Sequence, residues 1–570
     1  MTLRRLGRLL LASALTALPI VVGTAGPVRA EASIFIVDAT LEGKLVSLGY
    51  DDVVDGKVKV SAVAAVTSLD LSGLPVADLR GLDDFPSLMV LDLSGNTAIQ
   101  EVHFGGCYSG AATNAFEQLT SLDLTGATSL ISICITSLNA PRLSNLKITG
   151  ADALQNVQID GTRLSTLDLS NRSALNDVRI FDNPLQNLSV AGSTAIVALY
   201  LNKNRLSTLD ISGFPSLVTL WAKENDLTSL VVRDNPKLQS LSMSDNELVN
   251  VSLAGLPVLE YLSLSRNKLT SLDTSGLPLL RFLYAELNSL SAIDLATNPR
   301  LEELYLNNNR LSNIDVSTLT RMQQFGVSFN RLTSLATPNS SQLAVIEASH
   351  NYLTSLTLGN VAAIELLDVQ DNRLTSLPTG GMTSLDRLSI QDNRLENFEA
   401  KDLPLLSTVS INGSMSSMTL GNLPALSNLT FSAGTRAIRG LSITNLPSLR
   451  ALEASGIGLE TLSLADVPQL DVIQVGGNSL TVLDVSKAPL VTTLTALSNR
   501  LESVVLPASN VITALSLSSN RLASIDLASS AELRELDIRN NQLTALDLSK
   551  NIRLELLDAS SNKITSMALE

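Results

Sequence analysis

Leucine recurs in this chain on a 21-residue frame. From Arg205 the sequence reads RLSTLDISGFPSLVTLWAKEN, then DLTSLVVRDNPKLQSLSMSDN, then ELVNVSLAGLPVLEYLSLSRN. Each block holds a strong unit, L-x-x-L-x-L-x-x-N, and a weaker L-x-x-L-x-L nested in the spacer. The first leucine of the strong unit falls at Leu154, Leu175, Ile196, Leu217, Leu238, Leu259, Leu280, Leu301, Met322, Leu343, Ile364, Leu385 and Leu406, every step being 21. It continues at Leu426, Leu449, Leu470, Val491, Ile512, Leu533 and Leu554, with one step of 20 and one of 23. Leu88 and Leu130 lie 42 apart, so the frame is expected to begin earlier, with one coil between them overwritten by SGAATNAFEQ (Ser109–Gln118). A fixed period of this length specifies a solenoid. It overrides the several-domain expectation raised by 570 residues. One core is expected over 66–570, with an irregular insert at about 105–120 and off-period coils at about 412–458.

In L-x-x-L-x-L the second and third leucines point one way and their neighbours the other, as a strand requires. Stacked coils then bury one column of leucines. The residue eight after the first leucine is Asn at 183, 204, 225, 246, 267, 288, 309, 330, 351, 372 and 393. An amide at a fixed turn can satisfy buried backbone groups of neighbouring coils. In three successive coils Ser414, Gly434 and Ile457 replace it, and those coils carry the off-period steps. Glycine, Pro and Asn in the spacers (GFP, DNP, GLP) argue for turns and short strands on the convex side rather than long helices.

The 21-residue length, the nested unit and the LDLS or LDVS phrase form a family pattern, seen in LTSLDLT (Leu119–Thr125), LEELYLNNNRLSNIDVS (Leu301–Ser317) and LTALDLSKN (Leu543–Asn551). These segments resemble bacterial internalin-type leucine-rich-repeat proteins, nearest the internalin-J-like subclass, over roughly residues 34–570. The resemblance implies an α/β leucine-rich-repeat solenoid, a horseshoe or right-handed superhelix. It would be β-rich, with short convex segments and a small N-terminal helical cap. It also implies an exported protein that binds host or cell-surface partners. The chain departs from the pattern in having no L-P-x-T-G phrase and no ladder of cysteines within the repeats.

MTLRRLGR is basic, LLLASALTALPIVVG is apolar, and Val28 and Ala30 are small residues before EAS, so residues 1–30 read as a cleavable signal peptide. Arg4–Arg5 hints at twin-arginine export, but the residues that follow favour ordinary secretion. The apolar run of about 15 residues is short for a membrane span, and no later segment reaches 18. The mature chain is expected in a periplasm, on a cell surface or outside the cell. A net charge of −15 argues against nucleic acid as a partner. Cys107 and Cys134 sit 27 apart beside the disrupted coil, where a disulfide could staple the insert; two separate thiols are the alternative.

Residues 31–65 read as a cap. Asp38 can start a helix over about Ala39–Leu48, with Gly49 past its end and Leu41, Leu45 and Leu48 as its apolar stripe. DDVVDGKV (Asp51–Val58) has half of a calcium loop, but Val53 and Ala62 stand where oxygen ligands are needed, so it reads as an acidic turn. The chain ends eight residues into a new coil with no visible cap.

No enzyme is expected. The two histidines, His103 and His350, have no catalytic partner in sequence, and His350 reads as a turn residue before Asn351. No phosphate loop, nucleophile elbow or metal-spaced cluster occurs, so neither cofactor nor metal is expected. Aspartates at 168, 210, 273, 294, 315, 484, 526 and 547 recur with the coil and form a stripe, not a unique acid pair. A basic column follows the Asn ladder at Arg205, Lys268, Arg310, Arg331, Arg373, Arg394, Arg500, Arg521 and Lys563. It reads as a solvated rim or as an anion-binding edge for acidic glycans or envelope polymers.

One feature breaks the period. Three outward positions per coil lie two, four and six after the first leucine, and from Leu175 to Leu301 they carry Phe181, Tyr200, Trp221, Tyr261, Phe282, Tyr284 and Tyr305. The other regular coils have no aromatic there. Strand propensity would act on every coil alike. Aromatics of this kind carry binding energy at interfaces, although packing across neighbouring strands would also use them. The favoured expectation is a monomeric recognition protein binding a protein partner on its concave face; a carbohydrate-binding adhesin or envelope component is the alternative.

Overall fold

The computed structural model describes residues 32–104, 116–412, 415–431 and 438–569. The leader-like segment and most of the insert, Cys107 included, lie outside the described residues. What is described is a parallel β-solenoid built mainly from three-residue strands. Thr219–Trp221 shows why: Leu220 is buried, its neighbours face outward, and Ala222 turns back into the core. Alternation lasts only as long as the L-x-L phrase, and the turn at the ladder Asn then ends the strand.

The strong units form the longer sheet. Fifteen strands run in parallel from Glu101–Phe104 to Thr408–Ser410, and seven more run from Asn428–Thr430 to Leu556–Asp558. Each strand is one repeat from the next, so Tyr200 pairs with Trp221, Trp221 with Ser242, and Tyr284 with Tyr305. The nested units build the opposite face in shorter pieces. One buried cluster extends from Ile34 to Leu548, as a single stacked core requires.

The start of the frame needs a correction. Leu88 precedes Val90–Asp92, which pairs with Ser68–Asp70 and Ser121–Asp123 on the opposite face. The strand after Leu130, Ser132–Thr136, pairs instead with Glu101–Phe104 in the long sheet. The coil before Leu130 therefore begins at Ile99. The spacing of 42 spans the two faces, because the nested unit repeats the same phrase. Leu88 belongs to the nested frame.

The Asn ladder is a set of repeated contacts. Asn225 Nδ2 donates to Leu201 O at 2.8 Å and to Ala222 O at 3.2 Å, while its Oδ1 accepts from Leu206 N at 3.1 Å. Asn267, Asn309, Asn351 and Asn520 repeat this arrangement. Asn204 Oδ1 would accept from Leu185, beside Pro184, and has no partner. The residue before each Asn adopts the left-handed conformation, as at Asp182, Lys203, Glu224, Leu287, Phe329 and His350, with φ between 52° and 57°. The aspartate stripe also has a structural use. Asp168, Asp210, Asp273 and Asp315 each accept from the backbone N–H two residues on, closing the turn of the nested unit.

At the N-terminal end, helix α1 (Ala39–Ser47) is capped by Asp38, whose carboxylate accepts from Thr40 N and Leu41 N and also from Ala77 N and Asp78 N. Burial pushes the Asp38 carboxyl up, but these four N–H groups together hold it below its usual value. Leu41 and Leu45 are fully buried, whereas Leu48 is exposed because the helix ends at Ser47 and the stripe ends with it. A strand at Ser33–Phe35 pairs antiparallel with Lys57–Lys59, an addition the sequence did not signal. The acidic turn is organised by buried Glu42, whose Oε1 accepts from Asp55, Gly56 and Lys57 N–H.

Candidate functional site: an aromatic face on the long sheet

All seven outward aromatics lie on consecutive strands of the long sheet, interrupted only at Ser240–Ser242. They form two clusters. Phe181, Tyr200 and Trp221 follow one another with centroid distances of 6.4 and 5.4 Å, the second contact edge-on. Tyr261 meets Phe282 at 6.5 Å and Tyr284 at 5.6 Å, and Tyr284 stacks on Tyr305 at 5.8 Å. Such ring pairs each contribute about 0.5–1.5 kcal/mol beyond burial. Six rings are half-buried because each leans over a neighbouring coil; Trp221 is 36% exposed. Gly326 makes this possible for Tyr305: a Cβ there would lie 2.6 Å from Tyr305 Cδ1.

Cations and polar groups frame the rings. Arg179 lies over Tyr200 at 5.4 Å, Lys223 over Trp221 at 6.0 Å and Arg281 over Phe282 at 4.9 Å. Arg281 also bridges Glu260 and Glu302, and those carboxylates hold its guanidinium well above the usual range. Trp221 Nε1 donates to Ser240 Oγ at 2.9 Å, and Tyr305 donates to Gln324 Oε1 at 2.6 Å. Tyr284 donates to Glu303. Burial first, then Glu347, Glu303 and Glu286, push the Tyr305 phenol up to about 12. Burial and the Glu303 contact raise Tyr284 as well. At pH 7 both are neutral donors.

Between the clusters lies a group of serines. Ser242, Ser244 and Ser263 are buried; Ser244 and Ser263 share a hydrogen bond of 2.6 Å, and Ser242 Oγ has no partner. The sequence showed this coil only as an aromatic gap. In the structure it is a row of buried hydroxyls between the two ring clusters.

The remaining candidates are dispersed. Cys134 is buried and disulfide-bonded, while Cys107 lies outside the described residues. His103 contacts Ser132 at 3.1 Å and Glu101 at 3.6 Å. His350 occupies a left-handed turn, with Nδ1 2.6 Å from Asp371. Among the described residues no group of three or more His, Cys, Asp or Glu is placed to hold a metal ion. No described helix is long and apolar enough to cross a membrane.

A stacked parallel sheet, a buried amide ladder and a nested second face define a leucine-rich-repeat solenoid. The Leucine Rich Repeat family model matches residues 300–322. Among solved structures, the chain is similar to the functional domain of InlJ from Listeria monocytogenes, which includes a cysteine ladder. Identity is 17%, coverage is 91% of this chain and 83% of that one, and the TM-score is 0.37. It is also similar to YopM from Yersinia enterocolitica, at 21% identity, 89% and 91% coverage and a TM-score of 0.46. A third is the plant peptide hormone receptor RGFR1, solved in complex with RGF2, at 20% identity, 87% and 90% coverage and a TM-score of 0.47. No curated protein sequence matches the chain. The fold is that of a leucine-rich-repeat solenoid, and the family model matches one of its coils.

Proposed function

We propose that the chain is an exported, non-catalytic recognition protein that binds a protein partner on the concave face carrying the long sheet. Export rests on the leader-like residues 1–30. The observation that carries the reading is the confinement of seven outward aromatics to one stretch of the sheet, in two ring clusters. Seven coils at ~4.8 Å span roughly 30 Å, enough for an interface of about 800 Å² per side. Aromatics and Arg at the centre of such a patch carry most of the affinity.

Trp221 is the only tryptophan in the chain, so its emission reports on this face. A partner surface protein should shift or quench it. Trp221→Ala should weaken that complex by about 2 kcal/mol or more and leave the melting temperature nearly unchanged. Affinity unaffected by Trp221→Ala and by Tyr305→Ala would remove the assignment. Binding to a neutral glycan with the same dependence on Trp221 would keep the site and replace the partner class.

A further inference from the structure

A second feature lies at the edge of the sheet, away from the ring clusters. The positions just before the ladder Asn hold left-handed backbone, which suits Asp, Asn or Gly and strains bulky side chains. Phe329 occupies one of them at φ 56° and is 49% exposed. Its ring stacks on His350 of the next coil, with centroids 4.0 Å apart and planes 16° from parallel. On the other side of the ladder, Tyr352 is 46% exposed beneath the Arg373 guanidinium at 4.7 Å. Neither ring helps fill the core, and solubility and backbone preference both argue against Phe329.

The same edge concentrates unpaired positive charge. Arg310, Arg331, Arg373 and Arg394 flank Tyr352 in five successive coils, all exposed. Among the described residues none of the four has a carboxylate within ion-pair distance. Lack of an ion pair is not special to these four, since among the described residues Arg205, Arg500 and Arg521 of the same column also have none, whereas Lys268 meets Glu247. What distinguishes this stretch, in a chain of net charge −15, is the density of four arginines in register over about 20 Å, at ~4.8 Å per coil. Guanidinium forks match carboxylate and sulfate groups, and exposed rings offer flat faces to sugar rings.

We propose that this edge, formed by Phe329, Tyr352 and the four arginines, binds a linear anionic polysaccharide independently of the aromatic face. The repeat of charge from coil to coil selects a polymer over a small anion. The two aromatic platforms favour a sugar chain over an acidic peptide.

The test uses the full mature chain and titrates heparin, polygalacturonate, neutral dextran, poly-glutamate and single-stranded DNA. Heparin or polygalacturonate should bind, more weakly as salt rises, and dextran should not. Arg331→Glu with Arg373→Glu should weaken binding at least tenfold. Phe329→Asp should weaken it about threefold while holding or raising the melting temperature, since Asp suits the left-handed turn. Arg205→Glu, at the same position of a coil whose neighbours are not basic, should change nothing. The proposal is overturned if neither polysaccharide binds at low salt, if the double variant binds undiminished, or if poly-glutamate or DNA binds more tightly than both polysaccharides.

Discussion

Single residues in this molecule answer to the turn or to the surface, and the two demands conflict at a few places. Leu287 is the plainest case: its φ is 55° and its side chain is 40% exposed. Left-handed backbone costs an ordinary residue about 1–2 kcal/mol, and Asn tolerates it far better. Leu287→Asn should therefore stabilise its coil by about 1 kcal/mol, read as a higher urea midpoint of the full chain; a lower midpoint would mean that the leucine contributes packing. The sequence hinted at this column, since Asp, Glu, Asn, Lys and Ser fill most of it and no β-branched residue appears. It went unread because a backbone conformation leaves no hydrophobic period. Phe329 was missed for the same reason, lying seven after Met322 and outside the three strand positions. The seven aromatics were legible because they break the repeat. Their mutual leaning was not, because ring rotamers depend on neighbours such as Gly326.

At the scale of the coil, stability rests on two polar devices, one per face. Asn267 bonds Met243 O at 2.9 Å, Leu264 O at 2.9 Å and Leu248 N at 3.0 Å. Asn267→Ala strands three buried backbone groups and should cost about 2–3 kcal/mol, seen as accelerated hydrogen exchange confined to adjoining coils; Asn267→Asp should not restore it, having no donor. On the opposite face, hydrogen bonds from Ser170, Ser212, Ser275 and Ser317 hold the aspartates of the turns below their ordinary pKa. A depressed folded value contributes stability above the unfolded pKa of about 3.9, and that contribution is lost as pH falls through the lower folded values. The melting temperature should thus drop as pH falls below about 4, and Asp273→Asn with Asp315→Asn should flatten that drop. Sequence placed these aspartates as a repeating stripe without their purpose. It placed the ladder Asn correctly and misframed Leu88, because the nested face speaks the same phrase as the long one.

Over the whole molecule the long sheet is not continuous. It stops at Thr408–Ser410 and resumes at Asn428–Thr430, with one bridge, Ile411 to Phe431, across the gap. Opposite the gap the nested face carries its longest strands, Met415–Gly421 and Ile438–Thr444, in a four-stranded sheet. The altered steps were visible in the sequence as missing ladder Asn. The transfer of pairing to the other face was not, since it depends on which side the extra residues extend. Stacked repeats are stabilised by their own packing and by their neighbours, so the two blocks should unfold as separable units with a boundary near this gap. Exchange that is slow along Met418–Gly421 and faster around Ile411 would locate it; uniform protection would argue for one block.

The ladder contacts also bear on how many coils such a chain can hold. From Asn225 to Asn393, and again from Asn478 to Asn562, each amide reaches a carbonyl 24 residues back and an N–H 19 residues back. The bond set is blind to position, so copy number is free where the step is constant. Excising 374–394 joins Arg373 to Leu395 in frame and leaves Asn372 its partners at the same offsets. That shortened chain should fold with a melting temperature within a few degrees of the parent, while excising one residue fewer should not. A gene built on this rule can gain or lose whole coils by unequal exchange between its own repeats, altering the reach of the protein without renegotiating its core.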